Sequence, residues 1–122
     1  MEIFKEFSFE AAHRLPHVPA GHKCGRLHGH SYRLQVWVRG PVEARSGWVM
    51  DFADLRAAVQ PLLDRLDHSC LNELEGLENP TAENLARWVW KRLQPRLPQI
   101  CKVVISETCT GGAVYYGEDE QA

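Results

Sequence analysis

The chain has 122 residues, 44% of them hydrophobic and 25% charged, with a formal net charge of -2. That length fits one domain with a real core, and the composition is that of an ordinary soluble globular protein. The near-neutral balance gives no electrostatic footprint for nucleic acid or an anionic membrane, and no apolar run approaches the ~20 residues of a membrane helix.

The start, Met1-Glu2-Ile3-Phe4-Lys5-Glu6, lacks the apolar stretch of a signal peptide. Four cysteines (Cys24, Cys70, Cys101, Cys109) form no Cys-x-x-Cys pair. They read as reduced thiols, so the expected setting is the cytoplasm.

The first element is a strand. Ile3, Phe7, Phe9, Ala11 and His13 share one parity, and Phe4, Glu6, Ser8, Glu10 and Arg14 the other, as in a sheet covered on one face. His13 closes the apolar parity; a histidine ending such a face is, by itself, more often a hydrogen-bonded core residue than a ligand. Leu15 to Leu27 contains Pro16, Pro19, Gly21 and Gly25, which predict a loop, and it carries His17, His22, Lys23 and Cys24.

A second strand follows, with Tyr32, Leu34, Val36 and Val38 alternating against Ser31, Arg33, Gln35, Trp37 and Arg39. His28 and His30 fall on the face of Tyr32 and Leu34. Two imidazoles two residues apart on a stiff strand make half a metal site. The spacing alone equally describes two unrelated loop histidines.

Gly47 to Met50 reads as a short extended piece, and Asp51 as the N-cap of a helix bearing Leu55, Val59, Leu62, Leu63 and Leu66. Pro61 predicts a kink or a lost hydrogen bond inside it. Thr81 caps a second helix with Leu85, Trp88, Val89 and Leu93 as its stripe, ended by Pro95 and Pro98. Lys102 to Thr108 is a third strand with Val103 and Ile105 on the parity of Glu107. Gly111-Gly112 turns into a fourth strand, Ala113 to Tyr116. Residues 1–117 form one domain, and residues 118–122 an acidic, frayed tail.

The order strand, strand, helix, helix, strand, strand predicts an α+β domain with both helices on one face of a four-stranded antiparallel sheet. Antiparallel pairing lets the end of the first strand, His13, meet the start of the second, His28 and His30. Three histidines with an open fourth position describe a catalytic zinc site. For Asp67-His68 the residues alone also allow a plain helix C-terminus, and for Glu107 a solvated strand-end charge. Cys70, Cys101 and Cys109 read as small buried residues.

Phe7-Ser8-Phe9-Glu10-Ala11-Ala12-His13, Cys24-x-x-x-His28-Gly29-His30, Leu66-Asp67-His68, Pro80-Thr81-x-Glu83-Asn84 and Glu107-Thr108 occur together, in this order. In this the sequence resembles the 6-pyruvoyltetrahydropterin synthase family over nearly its whole length. The run from Ala12 to Arg26 is similar to the bacterial branch that makes 6-carboxytetrahydropterin for queuosine.

The resemblance implies a tunnelling fold whose sheets join into an oligomeric barrel, a homohexamer built as a dimer of trimers, with active sites between subunits. It implies Zn2+ on His13, His28 and His30, and catalytic roles for Cys24, Asp67 and His68. Glu107 would hold the pterin of dihydroneopterin triphosphate, since a carboxylate accepts from the 2-amino group and ring N–H together. The activity implied is a carbon-carbon lyase giving 6-carboxytetrahydropterin, acetaldehyde and triphosphate. A 6-pyruvoyltetrahydropterin synthase on the same substrate and a non-catalytic zinc-dependent binding module are the alternatives.

Overall fold

In the computed structural model, which describes residues 1–120, two helices lie against one face of a five-stranded sheet. The strands are β1 (Glu2–His13), β2 (His28–Arg39), β3 (Ser69–Cys70), β4 (Ile100–Ser106) and β5 (Gly112–Tyr115), in the order β3-β1-β2-β4-β5. Helix α1 spans Phe52–Leu66 and α2 spans Ala82–Leu93.

The antiparallel pairs β1–β2 and β4–β5 are those expected, and β2 joins the two hairpins by pairing antiparallel with β4. The expected all-antiparallel, four-stranded sheet needs one correction: β3 pairs parallel to β1, Ala11 with Ser69 and Ala12 with Cys70. Two residues carry no readable alternation, so β3 had no sequence signal.

The core lies between the helices and the apolar strand parity. Phe7, Phe9, Ala11, Tyr32, Leu34, Val36, Val38, Val103 and Ile105 meet Leu55, Val59 and Leu66 of α1 and Leu85, Val89 and Leu93 of α2. Asp51 caps α1 by accepting from the Ala53 N–H at 2.9 Å, and Thr81 caps α2 by accepting from the Asn84 N–H at 3.1 Å. Helix α1 continues through Pro61, which lies on its exposed side, where water can reach the carbonyl that the proline leaves unpaired. Gly47 and Trp48 adopt no regular structure and Val49–Met50 form a bend, so the expected extended piece is not a strand.

The other sheet face carries Glu6, Glu10 and Arg33 together with a Phe4–Trp37 stack at 4.4 Å. At the C-terminus, Glu118–Glu120 form a 3-10 turn, and Asp119 pairs with Arg87 of α2 at 2.5 Å. Residues 121 and 122 of the expected tail lie outside the described residues. Among the described residues no helix is long and apolar enough to cross a membrane.

Candidate metal centre and active site

The β1–β2 register places His13 directly opposite His28, and Ala11 opposite His30. Cross-strand partners share a face, as do residues two apart. All three imidazoles therefore fall at one end of the core face. Ala11 is small and leaves the His30 ring room to turn toward the other two. The three ligand nitrogens lie within 4.8 Å of one another, with His13 buried and the other two half-buried.

Backbone carbonyls set the tautomers. His13 Nδ1 lies 2.8 Å from the Pro80 carbonyl and His28 Nδ1 lies 2.6 Å from that of Arg26. A carbonyl only accepts, so in the neutral rings each Nδ1 carries the hydrogen and each Nε2 is a bare lone pair. The two Nε2 atoms nonetheless face each other at 3.1 Å. Glu107 Oε1 approaches to 3.0 Å from His13 Nε2 and 3.3 Å from His30 Nε2. His30 Nε2 is buried without a hydrogen-bond partner among the described residues. Burial, against the opposing pull of the Glu107 charge, holds the His30 pKa below the ordinary histidine value.

Several acceptors thus converge with too few protons between them. A proton could relieve one contact, but a cation relieves all of them. The donor set fits a metal ion: His13 and His28 offer Nε2 lone pairs oriented by carbonyl partners behind them, and His30 adds a third Nε2 with no hydrogen-bond partner among the described residues. Tyr32, fully buried, brings its hydroxyl to 3.2 Å from His13 Nδ1, and burial followed by the Glu107 charge raises its pKa.

Glu107 follows β4 directly, and the turn is closed by the Glu107 and Thr108 N–H groups donating to the Gly111 carbonyl. The expected strand to Thr108 thus stops at Ser106, which frees Glu107 to reach the histidines. Cys24 is a free, half-buried thiol on a 3-10 turn, Lys23–Gly25. Its N–H donates to His22 Nδ1 at 3.1 Å and its carbonyl accepts from Leu15 N–H at 2.9 Å. The metal-ligand cluster consists of the three histidines and does not include Cys24.

Asp67 ends α1 and His68 follows with φ of 58°, a left-handed conformation that few residues other than glycine adopt. Both are tied to β1: Asp67 Oδ1 accepts from the Glu10 N–H at 2.9 Å, and the His68 N–H donates to the Glu10 carbonyl. Asp67 Oδ2 lies 3.1 Å from His68 Nδ1. The Glu10 N–H, with a smaller effect of His68, lowers the Asp67 pKa. The pair is exposed, His68 to 79%.

A shallow depression of about 530 Å³ lined by Glu10, His30, Ser31, His68 and Cys70 puts His68 within reach of the space beside His30. Ser31 also borders a second depression, about 560 Å³, holding Arg33, Glu107 and Cys109. Within the chain the histidines and Glu107 are brought together, while the Asp67–His68 pair bonds to the backbone of Glu10. Of the other thiols, Cys109 is exposed and Cys70 and Cys101 are half-buried, which corrects their reading as buried residues. The sequence reading missed Tyr32, the carbonyls of Pro80 and Arg26, and Asn72; only the Pro80 to Asn84 motif offered a signal.

Comparison with known proteins identifies the lineage. The profile of the family described as 6-pyruvoyl tetrahydropterin synthase matches residues 2–118. The chain belongs to this family. It is 46% identical to a 6-carboxy-5,6,7,8-tetrahydropterin synthase of Synechocystis, over 93% of this chain and 92% of that one. It is 40% identical to a dihydroneopterin monophosphate aldolase of Pyrococcus furiosus, over 79% of this chain and 77% of that one. Its fold is similar to the structure of 6-pyruvoyl tetrahydropterin synthase from Caenorhabditis elegans, with a TM-score of 0.88 and 31% identity, covering 96% of this chain and 95% of that one. The family, the tunnelling-fold topology and a lyase acting on a pterin follow from these likenesses.

Proposed function

We propose that the protein is a zinc-dependent carbon-carbon lyase that converts 7,8-dihydroneopterin triphosphate and water to 6-carboxytetrahydropterin, releasing acetaldehyde and triphosphate, in the cytoplasmic route to queuosine. The observation that carries this reading is the contact between Glu107 and the histidine cluster, 3.0 Å to His13 and 3.3 Å to His30. A pterin held by that carboxylate has its hydroxylated side chain next to the three imidazoles. Anchor and reaction centre are then one site.

His13, His28 and His30 would hold the zinc. When bound, it supplies Lewis acidity toward the hydroxyl oxygens of the substrate and stabilises enolate-like charge. Glu107 accepts from the pterin 2-amino group and ring N–H and sets the depth of the ring. Cys24, as thiolate, takes a C–H proton from the hydroxylated arm of the substrate; its loop is long enough to approach that arm. Asp67 orients His68 through Nδ1 and stabilises its charged form, leaving Nε2 to exchange a proton with the substrate oxygen.

In a single subunit the Asp67–His68 pair faces solvent, which supports a homohexamer in which a neighbouring subunit completes the site. The polar sheet face would then line the barrel, and joining the sheets would cover their edges.

The test is incubation of zinc-loaded protein with dihydroneopterin triphosphate, with products identified by mass. The reading expects 6-carboxytetrahydropterin and acetaldehyde. A pyruvoyl product moves the assignment to the triphosphate-eliminating synthase, and untouched substrate supports a binding module. Light scattering at micromolar protein tests the hexamer, which a monomer would overturn.

A further inference from the structure

The segment that presents the Pro80 carbonyl to His13 is not part of the sheet. It is the link into α2, and it needs something to hold it. Two asparagine side chains do so from opposite sides. Asn84, in the first turn of α2, donates from Nδ2 to the Asn79 carbonyl at 2.9 Å, and the same carbonyl accepts from the Thr81 N–H at 2.9 Å. Asn72, just after β3, bonds both backbone groups of Arg14, the residue next to His13. Its Oδ1 accepts from the Arg14 N–H at 2.9 Å and its Nδ2 donates to the Arg14 carbonyl at 2.7 Å. Nδ2 of Asn72 also reaches the Glu78 carbonyl at 3.4 Å, two residues before Pro80.

Asn72 thus ties the His13 strand to the Glu78–Pro80 segment, and Asn84 fixes the far end of that segment. What is at stake is the His13 tautomer, because two different groups compete for Nδ1. The Pro80 carbonyl at 2.8 Å demands a hydrogen on Nδ1, whereas the Tyr32 hydroxyl at 3.2 Å can donate one to it. If the carbonyl withdraws, the hydroxyl is left beside Nδ1 and can donate, while Glu107 Oε1, 3.0 Å from Nε2, can accept a hydrogen there. The hydrogen then moves to Nε2, and a protonated Nε2 is no ligand.

We propose that Asn72 and Asn84 are positioning residues of the metal centre: by holding the Pro80 carbonyl on His13 Nδ1 they keep His13 Nε2 free to bind a metal. This rests on the metal-site reading given above. It adds residues that touch neither metal nor substrate.

The test uses Asn84→Asp and Asn72→Asp, which keep side-chain volume, replace the Nδ2 donor with an acceptor oxygen that repels the carbonyl it faced, and add a negative charge. An aspartate in the first turn of α2 suits the helix dipole, so Asn84→Asp leaves the helix intrinsically favoured. In metal-free, folded protein labelled at histidine nitrogen, NMR should show His13 as Nδ1–H in the wild type. In either variant it should be a mixture or Nε2–H. Zinc affinity by chelator competition should fall about 10- to 100-fold, the usual effect of losing an outer-shell partner, with Glu83→Gln as a neighbouring control that changes neither readout.

A His13 that remains wholly Nδ1–H in both variants overturns the proposal, and so does zinc affinity within twofold of wild type. If Asn84→Asp does not fold, Asn72→Asp, outside either α-helix, decides alone. A wild-type protein that binds no zinc would count against the zinc-dependent function. The tautomer readout, taken without metal, still judges the two asparagines.

Discussion

His13 and His28 face each other across the β1–β2 register with their Nε2 atoms 3.1 Å apart, while each gives Nδ1 to a backbone carbonyl. Two lone pairs so placed repel until a cation lies between them. Zinc should therefore stabilise the fold as well as enable turnover. At a free concentration 100 times its Kd, a ligand specific to the native state contributes about 2.7 kcal/mol. Chelation should lower the Tm of the wild type, and His13→Ala, His28→Ala or His30→Ala should each abolish both the zinc-dependent rise in Tm and the activity. Stoichiometric zinc in purified His13→Ala would remove that residue from the ligand set.

Glu107→Gln keeps the shape of the side chain and exchanges one carboxylate acceptor for an amide donor. Pterin binding should weaken by about 1.5–3 kcal/mol, the usual cost of losing a hydrogen bond to a charged partner. Because Glu107 Oε1 also lies 3.0 Å from His13 Nε2, zinc content has to be measured in the same preparation. Weak binding of a product analogue with full zinc supports a pterin anchor. Unchanged affinity for the analogue would rule that role out.

The histidine cluster was legible as a possibility because parity and antiparallel pairing are properties of the chain: His13 ends one strand, and His28 with His30 begin the next on the same face. Glu107 was legible only as a parity, since its reach to the cluster depends on β4 stopping at Ser106. The Pro80 and Arg26 carbonyls left no trace in composition, because every residue has a carbonyl and only the fold decides where it points. The left-handed turn at His68 was equally silent: glycine would have announced it, and a histidine does not. Pro61 announced too much. On an exposed helix face its missing hydrogen bond is tolerated.

Asp67 should make the fold sensitive to acid. The Glu10 N–H and His68 lower its pKa below the unfolded value of about 3.9. For a depressed carboxylate the stabilisation is complete above the unfolded pKa and is lost as pH falls through the lower folded pKa. Asp67→Asn keeps an acceptor for the Glu10 N–H but has no charge to titrate. The stability difference between wild type and Asp67→Asn should be largest above about pH 4 and shrink as the medium is acidified. Denaturation midpoints taken from about pH 6 down to about pH 3 would show this. A difference independent of pH would mean that the Asp67 charge does not contribute to stability.

Cys24 poses a choice between ligand and base. As a fourth ligand its sulfur would stand about 2.3 Å from zinc and close the position that substrate needs. The metal-ligand cluster comprises the three histidines alone, and the Cys24 turn is held by its own backbone, through His22 and Leu15. The thiol is therefore expected to be free and poised as a base. Cys24→Ala should retain zinc and pterin binding while losing turnover by ~10²–10⁴, the usual contribution of a positioned proton-transfer group. Loss of zinc from Cys24→Ala would make the cysteine a ligand and restore the alternative of a non-catalytic zinc-dependent binding module. Full activity in that variant would transfer the base to the Asp67–His68 pair.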